Sequence, residues 1–181
     1  MAATVTIRRW TGSAGGPTKT DITGINTRAN AEDTHTTAGT SNPIQIPAAG
    51  TNYSYWVSTQ LSADTSPAGT INNIKWYTDG SNGMGTGITV KMNTASAYVQ
   101  ATGTPGTSGN ILNTGNHASL AGVTSDAFSF TSGSPKSVTG TISNPSTGDI
   151  GHQVVYQIEV ASTAGPGPAN SEQFTWRYDE T

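Results

Sequence analysis

The stretch Asn52-Tyr53-Ser54-Tyr55-Trp56-Val57-Ser58-Thr59-Gln60-Leu61 decides the fold. Tyr53, Tyr55, Val57, Thr59 and Leu61 fall on one face and Trp56 on the other, the two-residue period of a strand. Residues 52–62 are the longest such run in the chain and read as one strand. Toward the C-terminus, residues 71–77 (Ile-Asn-Asn-Ile-Lys-Trp-Tyr) read as the next strand. Asp79-Gly80 and Asn82-Gly83 stop it, because Asn, Asp and Gly tolerate the positive φ of tight turns. Gly83, Gly85 and Gly87 then lead into a strand at 88–92.

Further out, short apolar runs predict strands at 4–10, 22–27, 43–46, 97–101, 127–130, 137–142, 152–161 and 173–178. The last two are the strongest hairpin candidate, joined across Gly165-Pro166-Gly167-Pro168. Residues 28–33 have room for a single helical turn at most, since Gly39 and a run of threonines oppose extension. Ile111, Leu112 and Leu120 are expected to pin the Gly/Thr/Ser/Asn-rich excursion 102–122 to the core. Eight to ten strands with turn-rich links predict an all-β fold, an antiparallel two-sheet β-sandwich with long Gly/Ser/Thr loops. Immunoglobulin-like and jelly-roll strand orders both fit. Each sheet is expected to have one apolar and one wet face. The 181 residues suit one domain, with residues 1–42 as an extended N-terminal arm or a peripheral strand region.

Charge is sparse: 8 Lys and Arg against 11 Asp and Glu, a net charge of −3. Only Arg8-Arg9 adjoin, a poor footprint for nucleic acid. Low self-repulsion instead suits a surface that packs against copies of itself or a larger assembly. With no cysteine, disulfides and thiolate catalysis are excluded. No window approaches the ~20 apolar residues of a membrane span. The N-terminus lacks a basic segment followed by an apolar run, so synthesis in the cytoplasm without signal-peptide export is expected.

A catalytic constellation does not emerge. No Gly-x-Ser-x-Gly is present, and Gly80-Ser81-Asn82-Gly83 has the wrong spacing. His35, His117 and His152 lie far apart, with no zinc-binding spacing. Asp64, Asp79, Asp126 and Asp149 sit in predicted turns and Glu32-Asp33 in a loop, where capping is their ordinary use. No Asp-x-Asp-x-Asp loop supplies the serial oxygen ligands of Ca²⁺. No acid pair stands out for glycoside hydrolysis. The Gly83/Gly85/Gly87 segment precedes a strand, whereas phosphate cradles precede a helix. No metal, cofactor or enzymatic activity is therefore expected.

The aromatics are what remain. Trp10, Trp56, Trp76 and Trp176 lie in predicted strands, and consecutive residues such as Trp76-Tyr77 point to opposite faces. Trp10, Tyr53, Trp56, Trp76, Tyr77 and Tyr178 are the interface candidates, since Tyr and Trp favour interfaces and can also stack on sugars.

The segments Asn52 to Trp56, Ile71 to Gly80 and Phe174-Thr175-Trp176-Arg177-Tyr178-Asp179-Glu180 resemble small β-rich structural proteins of tailed bacteriophage virions. Capsid decoration or auxiliary head proteins are the nearest of these, and the resemblance spans about residues 50–181. It implies a non-enzymatic viral protein on the virion surface, a homo-oligomer and often a trimer. Its partner would be the major capsid protein or another virion protein, with neither nucleic acid nor membrane. A strand added to a neighbour by residues 1–10 or 11–42 would strengthen such an assembly. A carbohydrate-binding module that takes a glycan, and a tail or fibre subunit, are the competing readings.

Overall fold

The computed structural model describes residues 2–37 and 41–181. Among them the chain is all-β, with antiparallel sheets joined by long loops and one 3₁₀ turn, Ala127–Ser129. The spine is a 14-residue strand that begins earlier than predicted. In chain order the strands are β1 (Val5–Thr11), β2 (Thr18–Asp21), β3 (Thr51–Tyr53), β4 (Val57–Ala63), β5 (Thr70–Tyr77), β6 (Ile88–Ala95), β7 (Gly103–Thr104), β8 (Ser108–Gly109), β9 (Ser125–Asp126), β10 (Lys136–Ser137), β11 (Ile142–Ser143), β12 (Gly148–Ala161) and β13 (Thr175–Glu180). The spine is β12.

The large sheet runs β2-β1-β4-β12-β6-β9, and β3 joins β12 as well. In the small sheet Trp76 of β5 is paired with both Lys136 of β10 and Trp176 of β13, which must therefore lie on opposite edges. β11 pairs further along β5, and β7 and β8 form a separate ribbon.

Alternation along β12 sends Val154 and Tyr156 to one face and Val155 to the other. The first face meets the small sheet: Val57, Leu61, Ile71, Ile74, Trp76, Val90, Met92, Ile150, Val154 and Tyr156 form one buried cluster. Each fully buried large apolar side chain there contributes roughly 1.5–3 kcal/mol. Phe174 joins the layers, with its ring centroid 4.9 Å from Tyr156 and 5.1 Å from Trp76. Val155 belongs to a second cluster with Tyr55, Trp56, Ala95, Ala101, Leu112 and Leu120. Leu112 and Leu120 thus anchor the 102–122 excursion as expected, whereas Ile111, expected with them, is exposed. The expectation of one wet face fails at β4, where every residue is buried.

Several predicted elements are corrected. Residues 52–61 are not one strand, because Ser54–Trp56 leave the ladder. Ser54 bonds Ile158 through its own N–H (2.8 Å), and its hydroxyl accepts the Ile158 N–H (3.0 Å). Tyr55 N donates to Asn30 O (2.8 Å). The break cancels the alternation and turns Tyr55 and Trp56 into the same cluster.

The 152–161/173–178 hairpin does not form either: β12 is in the large sheet and β13 in the small one. Their aromatic faces stack across the layers instead, as Tyr156 on Phe174 does.

The strand expected at 22–27 lies earlier, at β2, since Asp21 Oδ1 accepts Thr23 N (2.8 Å) and turns the chain. Residues 43–46, 97–101 and 28–33 form neither strand nor helix, and 127–130 holds the 3₁₀ turn capped by Asp126. The 137–142 strand is interrupted into β10 and β11. The N-terminal segment is no free arm, because β1 is an interior strand paired with β2 and β4, and β2 forms the sheet edge.

Candidate functional site

A cavity of about 1440 Å³ opens between the large-sheet face and two loops, with Trp76 of β5 and Trp176 of β13 in its lining. Its floor comes from strands: Ile7, Thr59, Tyr156, Ile158, Val160 and Trp76. Its walls come from residues 22–30 and 43–46 on one side and 164–174 on the other. The strand residues of the floor are buried or half-buried, whereas Ile25, Ile46, Pro166 and Pro168 are exposed, so the loops form the mouth.

The loop 22–37 is held by a buried polar group. Arg9, 1% exposed, donates from Nη1 to Thr27 Oγ1 (2.8 Å) and to Arg28 O (2.5 Å). Burial pulls the Arg9 guanidinium below its usual range, against the opposing pull of Tyr156, Asp33 and Tyr98. Arginine remains cationic even so. Asp33 Oδ2 accepts Gly12 N (2.8 Å), and Tyr98 donates its hydroxyl to Gly12 O (2.8 Å). Burial raises Asp33 and also Tyr98, the latter further raised by Asp33. His35 Nδ1 lies 3.1 Å from Thr27 Oγ1, and burial, then Arg9, lowers its pKa. The group ties β1 to the loop.

The six aromatic candidates do not gather into one surface. Trp10 is half-buried on β1, with its ring 5.6 Å from Tyr98 and Lys19 Nζ 4.1 Å above it. Tyr53 is half-buried on β3. Trp56 and Trp76 are 3% and 0% exposed, so their rings are committed to the two cores. Trp56 Nε1 donates to Val99 O (3.0 Å). Tyr77 is half-buried beneath Arg177, and Tyr178 packs against the first core.

The other candidates are dispersed as well. His117 is wholly buried against Trp56, with ring centroids 5.6 Å apart, and burial lowers its pKa. His152 is half-buried on β12. Asp79 and Asp126 cap turns, accepting Ser81 N (2.9 Å) and Phe128 N (3.1 Å). Asp64 and Asp149 instead pair with Arg8 (2.6 Å) and Lys19 (2.5 Å). Among the described residues no three His, Asp or Glu side chains group closely enough to hold a metal.

Compared with known protein families, curated proteins and solved structures, the chain matches none of them.

The large hydrophobics left in solvent are Val123 at 86%, Ile25 at 48%, Ile111 at 41% and Ile46 at 39%; Ile25 and Ile46 lie in the strands expected at 22–27 and 43–46 and Ile111 among the expected core anchors, and only Val123 drew no expectation. All four stand on connections between strands. Ile111 and Val123 flank the chain that covers the Val155 face, and Ile25 and Ile46 rim the cavity on the Tyr156 face. A short apolar run is buried only where a neighbouring strand arrives to pair with it, and the local pattern does not encode that neighbour.

Proposed function

We propose that this protein is a non-enzymatic virion structural protein of a tailed bacteriophage, a capsid decoration protein with a two-sheet sandwich core. In this reading it is made in the host cytoplasm and sits on the virion surface, bound to the major capsid protein and to copies of itself. The observation that carries the reading is the placement of the exposed apolar residues. Ile111 and Val123 stand by one face of the large sheet and Ile25 and Ile46 by the other, all on loops of a scaffold buried on both faces.

Exposed apolar residues by both faces suit heterologous contacts between copies, which form a ring such as a trimer where the rotation closes. Burying each residue is worth roughly 1.5–3 kcal/mol, weak singly and strong when repeated over many copies. The sparse, balanced charge removes the repulsion that would oppose such packing. A glycan-binding surface would need coplanar exposed rings, and Trp56 and Trp76 are buried while Tyr77 lies under Arg177.

Light scattering coupled to size exclusion tests the self-association. The wild-type chain is expected at a multiple of its 18.6 kDa mass, and the Val123→Asp/Ile25→Asp variant at or near the single-chain mass with an unchanged circular dichroism spectrum. A wild-type monomer at every concentration would count against the reading.

A further inference from the structure

We infer that the cavity beneath the two loops is a binding site for a long-chain amphiphile with a single anionic head, of the fatty-acid class. Its volume of about 1440 Å³ exceeds the roughly 300–1,000 Å³ of a site for a compact small molecule. Its strand floor of Ile7, Thr59, Tyr156, Ile158, Val160 and Trp76 is mostly apolar, so covering it with a hydrocarbon chain removes apolar surface from water. Of the polar lining residues, Asn26, Gln45, Asn170 and Gln173 belong to the exposed loops, while Asn30, Thr59 and Tyr156 are buried, Thr59 giving its hydroxyl to Val154 O (3.1 Å). An apolar body below and a polar end above is the chemistry this gradient accepts.

The charge at the mouth selects the head group. Among the described lining residues only Arg28 and Glu172 are charged. The Glu172 carboxylate is held by Gly83 N at 2.5 Å, on the opposite wall. Arg28 is half-exposed, gives Nε to Thr37 O at 3.3 Å and forms no ion pair among the described residues. A guanidinium at the rim of an apolar cavity is suited to a carboxylate, which it can meet with two parallel N–H···O bonds.

Binding is measured with a dansyl-labelled undecanoic acid and its displacement by oleic acid or by oleyl alcohol. The wild-type protein is expected to bind the probe saturably and to release it to oleic acid more readily than to the alcohol. Arg28→Gln should weaken the acid about tenfold and leave the alcohol unchanged. Ala169→Trp, which places an indole in the cavity from a loop, should abolish probe binding without lowering the melting temperature; Ile158→Trp repeats the block from the strand floor. Each of three results would overturn the inference. The first is absence of saturable binding, and the second is equal weakening of acid and alcohol in Arg28→Gln. The third is probe binding that appears only when an oligomer is diluted to monomers, which would mean that a second copy fills the cavity.

Discussion

At the scale of single residues, Gln157 holds the most structure. It is buried on β12, where its Nε2 donates to Ser54 O (2.7 Å) and Asn110 O (2.8 Å) and its Oε1 accepts Leu112 N (2.7 Å). One side chain thus satisfies three backbone groups at the break between β3 and β4 and in the excursion beside it. Gln157→Leu is expected to cost roughly 2–4 kcal/mol, because those groups stay buried without partners. Chemical denaturation checks this, and a loss under 0.5 kcal/mol would refute the role. Glycine does related work nearby: a methyl group at Gly109 would overlap Ser54 O, so only glycine lets the ribbon approach the break.

His117 adds a pH dependence. Burial favours its neutral form and lowers its pKa from the ordinary 6.5. The unfolded chain therefore takes up the proton first. The stability at stake is fully present above about pH 6.5 and is lost as the pH falls toward the folded-state value. His117→Gln should flatten the fall in melting temperature between pH 7 and 5; an unchanged slope would assign the loss elsewhere. No sequence pattern marks His117 or Gln157 as special, since their importance comes from contacts made across 45 or more residues or with a ring brought in by the fold.

At the scale of elements, the readable parts were those whose period survives packing. Residues 71–77 and 88–92 lie within β5 and β6, and 152–161 within β12, because their alternation is buried on a continuous ladder. Residues 43–46 alternate as well, yet Gln45 N bonds Thr107 O in a loop and no strand forms. Pairing depends on which neighbour arrives, and local alternation does not encode the neighbour. The same limit explains β13, whose sequence promised a hairpin with β12 but which pairs with β5, while Phe174 just before it stacks on Tyr156 of β12. The ladder order carries its own expectation. Amide hydrogen exchange should be slowest in β12 and β4, which are paired on both sides and buried, and faster in the edge strands β2 and β13. Equal protection of β13 and β12 would contradict the assigned edges.

At the scale of the whole molecule, the scarcity of charge and the hydroxyl-rich loops were visible from composition, as was the all-β class. The candidate surfaces were not. Trp56 and Trp76 drew attention as large rings and are spent in the cores, while the large hydrophobics left in solvent are Val123, Ile111, Ile25 and Ile46 on loops. The cavity was equally hidden, because its lining gathers strands and loops from residues 7 to 176, a relation between distant segments. Arg9 and Asp33 show the same thing in polar form, fixing the wall of that cavity from positions 24 residues apart. A decoration protein requires these loops to be joining surfaces. The most direct measurement is co-sedimentation of the purified protein with candidate capsids of tailed bacteriophages. The account predicts saturable, stoichiometric binding that Val123→Asp/Ile25→Asp removes while the variant stays folded; no binding by the wild-type protein, or equal binding by the variant, would contradict it.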